Sequence, residues 1–239
     1  MGAGFGAGGI MEAEPGMNVL GLVALALIVI AFGAILLLTA GRGSVKLRKG
    51  LAVLASRRGW QASLVEETGG AARKLRLSGP GWRAETRRYI QGETGSAVFA
   101  TEFEAPGVQW PGQVAIGPAL DGAEAALAAR MMGGAGGAVA MALLTGGEIG
   151  RLVPRPDASG FGGTVFSSDE TVPLPDATRL QPLLAAWRRN HPAERQFPIV
   201  ILGPGGLRLR LRCDLWSVEE MERFADLGLA LAEALEPAT

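Results

Sequence analysis

Residues 197–212 of this chain read FPIVILGPGGLRLRLR. An apolar run is followed by the turn sequence GPGG and then by a segment in which leucine alternates with arginine. Two strand-like runs joined by a short turn rich in Gly and Pro predict a β-hairpin. In the second strand the leucines point to one face and Arg208, Arg210 and Arg212 to the other, which predicts a sheet with one buried face.

More strands are predicted on the N-terminal side of this hairpin. Turn signals rich in glycine separate the first four of them, and short gaps between strands indicate antiparallel pairing. The fifth contains Pro111 and is expected at a sheet edge, because proline has no N–H to donate to a neighbouring strand. The predicted strands cover residues 60–67, 72–77, 82–90, 96–104, 108–116 and 165–168.

Helical periodicity predicts helices over residues 45–58, 176–190 and 217–235. Ser217 and Glu220 form a capping box at the start of the last one. Residues 121–145 contain a glycine-rich centre and are expected to form two helices, or a helix and a loop. Runs of strands followed by helices predict an α+β fold for a soluble domain over residues 59–239. A sub-boundary near residues 146–163 is an alternative left open.

The N-terminal part predicts a membrane anchor. Residues 17–40 contain no charged residue over 24 positions, enough for a helix to cross the roughly 30 Å hydrocarbon layer. A cleaved signal peptide is the alternative, but residues 1–16 lack the basic start that such a peptide needs. We therefore expect a glycine-rich extracytoplasmic tail at 1–16 and a transmembrane helix at 17–40.

Basic residues directly after the predicted span set its orientation. Arg42, Lys46, Arg48 and Lys49 lie in a basic juxtamembrane amphipathic helix expected over residues 41–58. Because such residues stay on the cytoplasmic side, the N-terminus is expected outside and the C-terminal domain in the cytoplasm. The same cluster is expected to bind anionic lipid headgroups. A formal net charge of zero argues against a nucleic-acid partner.

Small residues recur along one face of the predicted span. Ala26, Gly33 and Ala40 are spaced seven residues apart. Small side chains let the backbones of two helices approach closely, and this contact stabilises helix association in lipid. The row therefore predicts packing against other transmembrane helices of a multi-subunit complex.

The sequence contains no residue cluster that specifies a reaction. The single histidine, His191, precedes Pro192 and is expected to end a helix. The single cysteine, Cys213, is expected to be a small buried side chain without a catalytic base. We therefore predict no catalytic, cofactor-binding or metal-binding residues. Arg208, Arg210 and Arg212 remain candidates for a face that binds an acidic partner, the alternative being a solvated sheet face.

An external N-terminus, one span and an α+β cytoplasmic domain are similar in topology to the H subunit of bacterial photosynthetic reaction centres. The 36 glycines and the excess of Arg over Lys favour a GC-rich bacterial source. We expect a non-enzymatic single-pass accessory or scaffold subunit of a bacterial inner-membrane complex. An energy-transducing host, either a photosynthetic reaction centre–antenna complex or a respiratory complex, is one candidate. A free-standing membrane-anchored sensor or ligand-binding module is the alternative, and an enzyme with an unrecognised site is the third.

Overall fold

The computed structural model of this chain describes residues 45–66, 73–91, 96–119, 152–193 and 197–236. The predicted tail 1–16, the predicted span 17–40 and the glycine-rich stretch 121–145 lie outside the described residues. Among the described helices, none is long and apolar enough to cross a membrane. The described ranges form a mixed α/β fold built on one large antiparallel sheet, which confirms the predicted combination of antiparallel sheet and helices.

Nine strands of the described ranges pair in a single sheet, and every pairing is antiparallel. Their order across the sheet is β1-β2-β3-β4-β9-β8-β5-β7-β6. The strands are β1 Gln61–Glu66, β2 Arg73–Gly79, β3 Trp82–Gln91, β4 Ser96–Ala105, β5 Val114–Gly117, β6 Val153–Pro154, β7 Thr164–Ser167, β8 Ile199–Gly203 and β9 Gly206–Leu211.

The predicted hairpin is formed by β8 and β9, and it joins the two halves of the sheet. On one side β9 pairs with β4, and on the other β8 pairs with β5. Gly206, the first residue of β9 after the turn, has a φ of 106°, a conformation that favours glycine. Since strands from both sides of residues 146–163 belong to this one sheet, the alternative sub-boundary does not divide it.

The position expected for the fifth strand was wrong. β5 lies inside the sheet, hydrogen-bonded to β8 on one side and to β7 on the other. The strand begins at Val114, beyond Pro111, so the proline takes no part in the ladder. The missing N–H therefore places no restriction on where this strand lies.

Three α-helices lie in the described ranges: α1 over residues 45–58, α2 Ala177–Asn190 and α3 Val218–Leu235. A short 3-10 helix covers Ser159–Phe161. Asp176 caps α2 by accepting the Thr178 N–H at 2.8 Å. The predicted capping box of α3 is confirmed, because the Ser217 hydroxyl accepts the Glu220 N–H at 3.0 Å and lies 3.1 Å from the Glu220 carboxylate.

The main core lies between α3 and one face of the sheet. The three leucines of β9 point towards this core and are fully buried, whereas the arginines between them point to the opposite face. α3 packs against β2, β3, β4 and β9. The apolar stripe of α3 is buried; its residues are Met221, Phe224, Leu227, Leu231 and Leu235.

Helix α1 also contributes to this core. Leu51 and Leu54 belong to the apolar stripe of this helix and are buried in the same cluster as residues of α3. The compact unit that contains the sheet begins at Leu47. Because the core occupies the apolar stripe of α1, that stripe is not the part of the helix that could lie on a membrane.

Candidate functional site

Charged side chains cover part of the sheet face opposite α3, and we call this region the charged face. It arises because residues of opposite charge occupy paired positions on neighbouring strands. Glu102 on β4 is directly opposite Arg210 on β9, and Glu104 is opposite Arg208. The members of the charged face are Arg76, Arg83, Glu85, Glu102, Glu104, Arg208 and Arg210.

The outer ion pairs of the charged face have short contacts and exposed arginines. The guanidinium of Arg76 contacts the Glu85 carboxylate at 2.8 Å through two nitrogens. The guanidinium of Arg83 contacts Glu104 at 2.7 and 2.6 Å. Side chains of both arginines are about half exposed, at 45% and 50%, so solvent screens these pairs and each contributes little to stability.

The inner pair is withdrawn from solvent. The side chains of Glu102 and Arg210 are only 2% and 6% exposed, and their closest charged atoms are 3.7 Å apart. Arg208 lies 3.8 Å from the same carboxylate. These separations are longer than hydrogen bonds, yet Coulomb attraction is stronger at a buried site than at the surface. The Glu102 carboxylate therefore holds the arginine charges in place within the sheet.

Two carboxylates meet at the centre of the charged face. Glu85 and Glu102 are paired directly across β3 and β4, and both residues are buried. Like charges at opposed positions destabilise a sheet. The arrangement is compatible with folding because each carboxylate also faces an arginine, Arg76 for Glu85 and Arg210 for Glu102.

The three predicted arginines are not one open row. Arg208 and Arg210 share a face as the alternation predicts, but they point at carboxylates of their own chain. Arg212 follows the end of β9 at Leu211 and is half-buried. Their predicted role as a partner-binding face stays a prediction.

The expectation of one buried sheet face was wrong for the strands at the centre. All five residues of β8 are buried, which means that both faces of this strand are covered. A second apolar cluster adjoins the charged face; it consists of Ala115, Leu152, Phe166, Ile199 and Ile201. The unbroken apolar run of β8 was a signal for this arrangement, because strands buried on both faces lack alternation.

His191 lies at the end of α2, which confirms the predicted helix-terminal position. Its ring stacks on that of Trp187, with the centroids 3.9 Å apart and an angle of 13° between the planes. Its Nδ1 is 3.1 Å from the Trp187 carbonyl oxygen. Cys213 is half-buried instead of fully buried, and its carbonyl accepts the Thr101 hydroxyl at 2.9 Å.

A second polar cluster surrounds Arg155, a residue that the sequence did not single out. Its guanidinium donates to both carboxylate oxygens of Asp157, at 3.0 and 2.8 Å, and to the Val172 carbonyl. The hydrogen bond from Arg155 lowers the pKa of Asp157. The Thr171 backbone N–H lowers the pKa of Asp169 in the same way. Within the described ranges, no group of three or more acidic, His or Cys side chains could hold a metal ion.

The predicted membrane-facing residues are described only in part. Lys46, Arg48 and Lys49 are exposed on α1. Arg42 and the predicted helix-packing residues Ala26, Gly33 and Ala40 lie outside the described residues. No protein-family model, curated protein or solved structure matches this chain.

Proposed function

We propose that this chain is a non-enzymatic accessory or scaffold subunit of a bacterial inner-membrane complex. One observation carries the proposal: 24 uncharged residues, 17–40, are followed at once by the basic residues Arg42, Lys46, Arg48 and Lys49. An uncharged stretch of this length favours a membrane span, and the basic residues favour a cytoplasmic domain and an external N-terminus.

The position of the domain in the chain supports a role next to the membrane. The compact unit starts at Leu47, and only residues 41–46 separate it from the proposed span. Seven residue steps, from Ala40 to Leu47, reach at most about 25 Å even when fully extended. A domain on so short a tether stays beside the proteins that share its membrane, where it would cap their cytoplasmic side.

The proposed partners are transmembrane helices of the host complex, which would pack on the small residues of the span. An energy-transducing complex, photosynthetic or respiratory, is the host that the topological resemblance favours. The test is purification of the tagged full chain in mild detergent. Membrane proteins recovered in fixed stoichiometry would support the subunit proposal. Recovery of the chain alone would contradict it and would favour a free-standing sensor or ligand-binding module.

The proposed orientation makes a separate prediction. A reporter enzyme that is active only in the periplasm, fused after Thr239, should give no activity, because the basic cluster keeps the domain in the cytoplasm. The same reporter fused before Met1 should be active and serves as the control. Strong activity of the C-terminal fusion would show that the domain lies on the other side of the membrane.

The span makes a further prediction. Gly33→Leu adds bulk at the centre of the small-residue row and leaves the span apolar, so insertion should persist while recovery with partners falls. Overpacking of a close helix contact typically costs about 1–3 kcal/mol, which corresponds to roughly a 5- to 150-fold loss of association. Ala34→Leu, on a different face of the helix, is the matched control and should be recovered with its partners like the parent. If Gly33→Leu is recovered with its partners as well as the parent, the small-residue row is not the contact.

A further inference from the structure

We propose that one end of the domain rests on the anionic headgroups of the membrane that anchors it, with Trp216 inserted as the contact residue. The inference rests on the proposed function, since it requires residues 17–40 to span that membrane. Trp216 then belongs at the level of the headgroups, where tryptophan is enriched in membrane proteins because its ring is apolar and its N–H is polar.

Trp216 is an unusual surface residue in this domain. Among the described residues, the large apolar side chains that are exposed are Val45, Val53 and Trp216, and Trp216 is 41% exposed. Its indole N–H donates to the Asp214 carboxylate, so the polar edge has a partner while the ring remains accessible. The neighbouring chain is fixed, because the buried Thr101 hydroxyl binds the Cys213 carbonyl and the Leu215 N–H. The ring is therefore held at the surface by an ordered segment.

Trp216 lies at the end of the domain where the chain enters it from residue 45. α1 runs alongside α3 in the same direction, because Gly50 is close to Val218 while Arg57 and Arg58 pair with residues further along α3. The residues of α1 before Gly50 therefore extend towards the start of α3. Trp216 is two residues before that start, at most about 7 Å of chain from Val218.

The length of the connecting chain brings this end to the lipid. Ala40, the last residue of the proposed span, is five residues before Val45, the first described residue. Five extended residues reach at most about 18 Å. The headgroup layer on each side of the hydrocarbon is roughly 5–8 Å thick. The end of the domain that receives the chain is therefore within reach of the headgroups.

Charge favours the same partner. Lys46, Arg48 and Lys49 are exposed at the start of α1, and each basic residue near an anionic surface contributes about 1 kcal/mol of attraction. Glu219 is exposed at the same end and opposes them, and Asp214 and Glu220 are half-buried there. The exposed basic residues outnumber the exposed carboxylate three to one, so the outer surface of this end attracts anionic lipid. A purely zwitterionic membrane would lack this attraction.

The test uses the tryptophan fluorescence of the full chain in vesicles. All five tryptophans, at positions 60, 82, 110, 187 and 216, follow the proposed span, so the span gives no signal. The purified chain is reconstituted into vesicles of phosphatidylcholine and phosphatidylglycerol, with or without bromine on the acyl chains as a quencher. Trp216→Phe is compared with Trp110→Phe. Trp110 is a suitable control because its backbone N–H binds the Gly203 carbonyl, at the turn end of the β8–β9 hairpin.

We expect brominated lipid to quench the parent chain, and Trp216→Phe to lose most of that quenching. Trp110→Phe should keep it, and omission of phosphatidylglycerol should weaken it. If the inserted chain is quenched equally with and without Trp216, or is not quenched at all, the docking inference is overturned. Insertion is measured separately by resistance to alkaline extraction. A chain that is extracted contradicts the proposed function itself, so the two failures are distinguishable.

Discussion

Glu102→Gln should lower the free energy of unfolding by about 3 kcal/mol, which is the lower end of the range for breaking a buried ion pair. The substitution keeps the size of the side chain and removes the charge that Arg208 and Arg210 face. Arg210 is buried, so bulk water cannot replace the lost carboxylate as it would at the surface. The instability therefore comes from burial of the arginine charge.

An opposing effect reduces this loss. Glu85 lies directly across from Glu102, and removal of one carboxylate relieves their repulsion. Opposed pairs on a sheet contribute roughly 0.2–1 kcal/mol, which is smaller than the loss from the buried pair. The net change should therefore remain strongly destabilising.

Glu104→Gln is the matched control, since it makes the same change two residues along the same strand. Its side chain is 19% exposed, its partner Arg83 is half exposed, and Arg208 still faces Glu102 when Glu104 is replaced, so the expected loss is at most about 1 kcal/mol. Urea unfolding of the full chain in mild detergent, followed by tryptophan fluorescence, measures both variants. Similar losses for Glu102→Gln and Glu104→Gln would show that burial does not determine the strength of these pairs.

A double replacement tests whether the ion pair itself stabilises the fold or only avoids an unpaired buried charge. Glu102→Leu combined with Arg210→Met removes both charges and retains side chains of similar size. Buried ion pairs replaced in this way are often neutral or more stable. The double variant should therefore recover most of the stability that Glu102→Gln loses. If the double variant stays as unstable as Glu102→Gln, the attraction between Glu102 and Arg210 is larger than the free energy needed to bury their charges.

Local patterns in the sequence predicted the elements of this fold well. Alternation of leucine and arginine predicted β9, and the capping box of Ser217 and Glu220 predicted the start of α3. These signals act over a few residues, because side-chain direction in a strand and hydrogen bonding at a helix start are local properties. The edge position predicted from Pro111 was wrong because the effect of a proline is also local. It restricts only a strand that contains it, and β5 begins after it.

Local sequence patterns could not predict contacts between residues that are far apart in the chain. Glu102 and Arg210 are more than a hundred residues apart in the chain, and they meet only because β4 pairs with β9 in one register. A shift by one residue would reverse the face of every side chain on the strand. The alternation in β9 therefore predicted which arginines share a face, but not that carboxylates would lie opposite them.

Helix α1 illustrates a related limit. Its periodicity correctly predicted which face is apolar, and Leu51 and Leu54 are buried. Periodicity does not say what covers that face. The structure covers it with the core that α3 shares, while Arg57 and Arg58 pair with Glu222 and Asp226. Lys46, Arg48 and Lys49 are exposed on the same helix.

Gly228→Ala should lower the free energy of unfolding by about 2 kcal/mol, although alanine is the better helix former by about 1 kcal/mol. Gly228 lies in the middle of α3, and a Cβ added there would approach three ring carbons of Phe103 to less than 3.0 Å. The ring is fully buried and stacks on Trp82 with the centroids 5.7 Å apart, so it has little room to move. The clash should outweigh the gain in helix propensity.

A double-mutant cycle with Phe103→Ala tests this cause directly. Phe103→Ala alone should cost about 3–5 kcal/mol, because it leaves a cavity in the core. In that background the methyl group of Gly228→Ala enters the vacated space, so the second change should raise stability by up to about 1 kcal/mol. Gly50→Ala in α1 is the control, since its Cβ would meet only a methyl of Val218 at 3.1 Å. It should leave stability within about 1 kcal/mol of the parent. Urea midpoints measure all four proteins of the cycle and the control. A Gly228→Ala variant as stable as the parent would mean that α3 and β4 are not packed this closely.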